Sequence, residues 1–327
     1  MGWKNWAWPY ALLCIAPPEI EMTPRIYHRL EKAFKEAYLL PLTLLRYGTA
    51  RPRRAKLHGC DNWIYIDPSD PCAIKKVVHE PLRGKVSTNL VFWREFNAYL
   101  KPELVVDVGL NYGECLFGTN YAPGARLWGF EANPRLMPHL EESRKHHPDG
   151  ARMTLTNCLV SDAPAEDVPF LVNPKWSGQS SAVREINAGD GVLEFKLPAR
   201  TLDSIIPAAA ATGKTLLFKM DIEGYESRAL AGFSMTLEQA ERAFGLIEFT
   251  PKFIQWAGVK PEDFFDWLRA RFSIYCIADA RHRKLARIGD YSELPARHGG
   301  EFAGTDLLLV SKTAGSDWLP LRWTISK

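Results

Sequence analysis

From residue 88 onward apolar runs alternate with helical stretches, and this alternation limits the fold more than any other feature of the chain. "ELVVDVG" (103–109), "RLWGFEA" (126–132), "MTLTNCLVS" (153–161), "TLLFKMDIE" (215–223) and "FGLIEFT" (244–250) read as strands. Helix-compatible segments such as "NPRLMPHLEESRKHH" and "ESRALAGFS" lie between them. Near-continuous Val, Leu, Ile and Phe mean strands covered on both faces, and hence a mostly parallel, doubly wound α/β sheet. "SIYCIAD" and "TDLLLVSK" follow with no helix between them, which predicts an antiparallel hairpin at the sheet edge.

Two segments fall outside the alternation. Residues 1–87 carry a helical stretch over 23–47, capped by Thr23 and broken near Pro41, then two short strand-like runs, "AKLHG" and "NWIYIDP". They read as an N-terminal α+β extension to a nucleotide-binding domain over 88–327. Residues 162–203 contain "VPFLV" and "VLEFKLPA" around the Gly- and Ser-rich "NPKWSGQSSAV". This pattern predicts an inserted hairpin acting as a lid, with Trp176 placed to stack on a sugar.

Composition narrows the partners. A net charge of +3 is too small to imply nucleic acid. Basic residues cluster in "RYGTARPRRAKLH" (46–58) and "RHRKLAR" (281–287), which either face solvent or attract a phosphate, nucleotide or acidic glycan. The 6 cysteines form no CxxC pair and no Cys/His cluster, so neither a disulfide framework nor structural zinc is expected. A reducing, cytoplasmic setting is the simplest expectation. The opening "MGWKNWAWPYALLCIAPPEIEM" is too short to span a bilayer and reads as packed or as a peripheral membrane contact through residues 1–20, with a secretory signal as the lesser alternative.

The strand ends hold the chemistry. In a doubly wound sheet, ligands sit at the carboxyl ends of strands where strand order reverses. The first strand ends in "VVDVGLNYGE", offering Asp107, Gly109, Asn111 and Gly113. The second ends in "GFEANP", where Glu131 is suited to the hydroxyls of a ribose. A dinucleotide would call for G-x-G-x-x-G around a pyrophosphate. Here an acid stands two residues before the first glycine, which would repel a pyrophosphate and suits the cationic amino-acid end of S-adenosylmethionine. Asp162 in "CLVSDAP" either meets an adenine amino group or caps a turn.

"FKMDIEGYES" (218–227) gathers Asp221, Glu223 and Glu226 at one strand mouth, where burial is costly without a partner. Asp221 would stand beside a transferable methyl, and Glu226 would cap or pair with the next helix. Asp221, Glu223 and Glu248 are candidate bases for a hydroxyl, with Asp221 and Glu223 leading. Magnesium held by two or three of them is the metal-assisted alternative. His79 in "VVHEPLRGK" is a further candidate base.

The ordered set "VVDVGLNYGE", "FEANP", "NCLVSD", "RTLDSII", "FKMDIEGYESRALAG" and "LIEFTP" resembles the FkbM-type S-adenosylmethionine-dependent methyltransferases. The likeness covers about 88–249, with Leu110 in place of the family's usual alanine. It implies a seven-stranded Rossmann-like methyltransferase sheet and O-methylation of a sugar, glycan precursor or other small-molecule hydroxyl. Two alternatives stay open: a nicotinamide-dependent oxidoreductase and a non-catalytic nucleotide-binding scaffold. Residues 1–85 and 312–327 resemble nothing recognisable.

Overall fold

In the computed structural model, residues 38–187, 191–297 and 302–326 are described. Two short strands, β1 (Arg54–Lys56) and β2 (Trp63–Tyr65), pair antiparallel in the extension. The main sheet begins with β3 (Leu104–Val108), β4 (Arg126–Glu131) and β5 (Met153–Asn157). Next come β6 (Leu159–Val160), β7 (Ala165–Val172) and β8 (Leu193–Arg200), a separate three-stranded sheet in the order β6-β8-β7. This is the inserted hairpin expected over 162–203.

The chain then returns to the main sheet with β9 (Thr215–Met220), β10 (Arg242–Phe249), β11 (Phe272–Asp279), β12 (Lys284–Ile288), β13 (Thr305–Ser311) and β14 (Thr324–Ser326). Nine strands run in the order β14-β12-β11-β13-β10-β9-β3-β4-β5. The five from β10 to β5 are parallel. β3 and β9 are completely buried, as their unbroken apolar runs require.

The terminal hairpin is present but not outermost. β13 inserts antiparallel between β10 and β11, and the edge beyond is built by β12 and β14. β12 comes from a stretch that reads as polar loop: Lys284 and Arg287 are exposed, while Leu285, Ala286 and Ile288 are buried. Short edge strands with charged outer positions leave little apolar signal.

Strand order reverses between β3 and β9. β4 and β5 lie to one side of β3, with β9 and β10 on the other, so a crevice opens at the carboxyl ends of β3 and β9. Gly109 makes the close approach there. Its φ is +81°, and a Cβ at that position would lie 2.0 Å from the carbonyl oxygen of Asp221. Leu110, the bulky replacement beside it, fits because it overlies Gly129, where an added Cβ would meet Leu110 Cδ1 at 2.7 Å.

The extension shares a core with the domain. Ala55, Ile64, Val77 and Val78 pack in one cluster with Leu110, Leu116, Phe117 and Leu140. Val77 and Val78 lie on a π-helical segment, Ile74–His79, entered through Asp70, which accepts a 2.8 Å bond from the Cys72 amide. Pro41 lies in the first turn of the helix Leu39–Tyr47, and the rest of the predicted 23–47 helix lies outside the described residues. So does the membrane contact expected at 1–20. Among the described residues no helix is long and apolar enough to cross a membrane.

Candidate functional site

A cavity fills the crevice at the switch point. Asp107, Gly109, Asn111, Glu131, Asp221 and Glu223 all line it, as their placement at strand ends predicts. Gly113 does not, since its left-handed turn is packed over the Phe117 ring.

Glu131 sits at one end, buried at the tip of β4. Its Oε2 accepts from the Asn111 amide and Oε1 from the Asn133 amide, both at 2.7 Å. Burial nevertheless pushes its pKa up to about 7. Each oxygen keeps a lone pair for a further donor, so the carboxylate is oriented and still able to accept.

Asp107 lies beneath the crevice and is almost fully buried. Lys219 Nζ stands 3.8 Å from its Oδ1, and that oxygen has no hydrogen-bond partner. Burial raises its pKa to about 6, even against the Lys219 charge. A buried acceptor without a donor is costly, and because Asp107 also lines the cavity, a ligand there could supply one. The amino group of an amino acid fits that position, and a pyrophosphate does not.

At the other end Asp221 and Glu223 of the lining meet Glu248, which lies behind them and outside it. Asp221, Glu223 and Glu248 each offer an oxygen, and these atoms lie within 4.8 Å of one another. Glu223 lies in the turn after β9 at a φ of +54°. Burial, then Asp221 and Glu226, push Glu223 up to about 8. Burial, then Asp221 and Glu223, push Glu248 up to about 9. Glu248 Oε1 accepts from Thr250 Oγ1 at 3.1 Å, whereas Oε2 is buried without a partner. Three hard oxygen donors with one buried and unsatisfied fit magnesium or manganese.

Lys219 joins the two ends. Its ammonium is 3.3 Å from Asp221 Oδ2, and the two acids hold its charge despite burial. The signal for it was present in "FKMDIEGYES": a lone lysine in a fully buried strand has to be paired.

Three further expectations are corrected by the geometry. Asp162 does not line the cavity, because its carboxylate accepts from Ser161 Oγ at 2.9 Å and faces Arg228 at 3.5 Å. Phe130, Leu159 and Phe170 give the cavity an apolar stretch of wall instead. His79 is half-buried and outside the lining; Lys76 and Glu80 reach the cavity from the same part of the chain. Desolvation opposes the Lys76 charge, but Glu114, Cys72 and Asp221 hold its pKa above the usual lysine value.

Trp176 is the third. Its ring meets the Lys75 ammonium at 5.0 Å rather than the cavity. Its neighbours Ser177, Gly178 and Ser180 form the rim, and Ser177 Oγ donates to Asn111 Oδ1 at 3.0 Å. Insert and extension therefore meet each other across the crevice. Glu226 does not cap the helix Glu226–Ala231 that it begins; it accepts from the Ile222 amide, in the turn before, at 2.9 Å.

The model of the methyltransferase FkbM domain matches residues 107–273, about half of the chain. Among solved structures, the FkbM methyltransferase of Methylobacillus flagellatus KT is similar at 17% identity, over 64% of this chain and 44% of that one, with a TM-score of 0.34. An O-methyltransferase of Bacillus cereus in complex with SAH matches at 9% identity, over 69% of this chain and 82% of that one, with a TM-score of 0.35. The O-methyltransferase TomG of Streptomyces achromogenes, in complex with SAM, matches at 9% identity, over 76% and 92%, with a TM-score of 0.36. These scores are low, and the fold rests on the observed strand order. No curated protein matches the chain.

Proposed function

Because this chain belongs to the FkbM methyltransferase family, we propose that it moves the methyl group of S-adenosylmethionine to a hydroxyl of a sugar, glycan or glycan precursor. The observation that carries the oxygen acceptor is the convergence of Asp221, Glu223 and Glu248 beside the crevice. A sugar hydroxyl is a poor nucleophile at neutral pH, and this cluster is the group able to take or weaken its proton.

Each residue has a task. Glu131, fixed by two amides, accepts from the ribose hydroxyls. Asp107 accepts from the amino group, which supplies the donor its Oδ1 lacks. When bound, the sulfonium supplies an activated methyl group, and the protein's contribution is alignment. Asp221, with the Lys219 ammonium at 3.3 Å, is the carboxylate of the cluster that keeps a cation beside it. Glu223 and Glu248 hold protons too tightly at neutral pH to act as bases unless a second cation lowers them. A divalent ion bound by all three acids would do so and would polarise the hydroxyl.

Incubation with methyl-labelled S-adenosylmethionine, magnesium and a panel of mono- and oligosaccharides tests this reading. Label recovered as an alkali-stable methyl ether on carbohydrate supports it. Label on nitrogen or on a carboxylate, with none on carbohydrate, would refute the hydroxyl acceptor.

A further inference from the structure

The catalytic crevice leaves one conspicuous surface unexplained. The helix Leu39–Tyr47 buries Leu39 and Thr43, packs Tyr47 against the core and turns its remaining leucines outward. Leu40, Leu42, Leu44 and Leu45 are 52%, 37%, 45% and 86% exposed. Four exposed leucines on nine residues are far more than scattered surface apolar positions, and such patches mark interaction sites.

A second, independent feature adjoins its C-terminal end. Arg46, Tyr47, Thr49, Pro52, Arg53 and Arg54 border an open cavity of about 380 Å³, with Trp63 and Tyr65 of β2 also lining it. Arg54 stacks over the Trp63 ring at 4.5 Å and donates to Tyr65 Oη at 3.1 Å. Arg46, Arg51, Arg53 and Arg54 have no carboxylate partner among the described residues. The sequence contains no acid from residue 38 to residue 60, and Asp61 is taken by Lys56 at 3.4 Å.

We propose that this face docks the protein on an anionic phospholipid bilayer, with the leucines entering the acyl boundary and the arginine cavity taking headgroup phosphates. An apolar helix face beside a cluster of cations is the composition of interfacial binding. Guanidinium groups match phosphate geometry, and Trp and Tyr suit the headgroup level. The charge complementarity selects an acidic bilayer over a neutral one. The surface is also joined to the catalytic crevice, because β1 carries Arg54 and runs on to Leu57 and His58 in the crevice wall.

Sedimentation of the full chain with vesicles tests the proposal. The protein should pellet with phosphatidylcholine–phosphatidylglycerol vesicles, stay in solution with pure phosphatidylcholine, and be released by salt. Arg46→Ser, Arg53→Ser and Arg54→Ser together should weaken partitioning by about a hundredfold. Leu44→Ser with Leu45→Ser should weaken it as well, and both variants should melt at the wild-type temperature. Absence of binding to acidic vesicles at low salt would overturn the proposal, as would undiminished binding in both variants. So would binding of inorganic phosphate without vesicle association, which would make the cavity a soluble-anion site. A dimer that Leu45→Ser dissociates, with no vesicle binding, would assign the leucines to a second copy and overturn it too.

Discussion

The ammonium of Lys219 stands 3.3 Å from Asp221 Oδ2, so the acid just past the end of β9 is paired with a cation from that same strand. The same ammonium is 3.8 Å from Asp107 Oδ1. Replacing it with an apolar side chain strands a buried carboxylate, and Lys219→Met should lower stability by about 3 kcal/mol in urea titration. Lys219→Arg should recover part of that loss. A Lys219→Met protein as stable as wild type would show that the two acids do not depend on it.

A second expectation follows from acids whose pKa values lie above their ordinary range. Burial holds Asp107 near 6 and Glu131 near 7, while Glu223 reaches about 8 and Glu248 about 9. A raised acid binds its proton more tightly when folded, so its stabilisation is fully present below the unfolded value and lost as pH rises through the folded value. The ligand-free protein should therefore lose melting temperature steadily from about pH 5 to pH 9. Magnesium should restore part of the loss at the alkaline end, where the cluster is ionised. A melting temperature flat across that range would contradict these shifts.

Much of this site is visible in the chain itself, and the reason is local. A strand buried on both faces must be a continuous apolar run, so a carboxylate at its end stands out, as Asp107, Glu131 and Asp221 do. Lys76 and Ser177 gave no such signal. They reach the crevice through packing between segments distant in sequence, and an exposed lysine or a loop serine looks the same wherever it ends up. His79 and Asp162 illustrate the converse, since each is a plausible side chain whose neighbours in space turn it elsewhere. The edge strands β12 and β14 were hidden because strands this short bury too little to leave a period.

The carboxylate cluster should act chemically. Asp221→Asn or Glu223→Gln should lower kcat by ~10²–10⁴, the span for loss of a general base. Glu248→Gln should raise the magnesium concentration needed for half-maximal turnover while leaving S-adenosylhomocysteine affinity unchanged. Chelator should abolish turnover and manganese or magnesium restore it. Wild-type turnover in all three variants would leave the cluster without a chemical role.

Backbone contact across the switch point makes its own forecast. Gly109→Ala would drive a methyl group to 2.0 Å from the Asp221 carbonyl at a φ of +81°. The β3 and β9 tips would have to part, at a cost of several kcal/mol, above the ~1 kcal/mol of a simple glycine-to-alanine misfit. Wild-type melting with intact nucleotide binding would mean that the two strand ends are not held this closely.

The central claim is that the crevice between β3 and β9 takes S-adenosylmethionine, with Glu131 on its ribose. Calorimetric titration with S-adenosylhomocysteine, in parallel with NAD, tests it most directly. One molecule of S-adenosylhomocysteine should bind per chain, NAD should give no heat, and Glu131→Ala should weaken binding by about 1–3 kcal/mol, as for lost charged hydrogen bonds. Binding of NAD without S-adenosylhomocysteine, or an affinity unchanged by Glu131→Ala, would contradict the account.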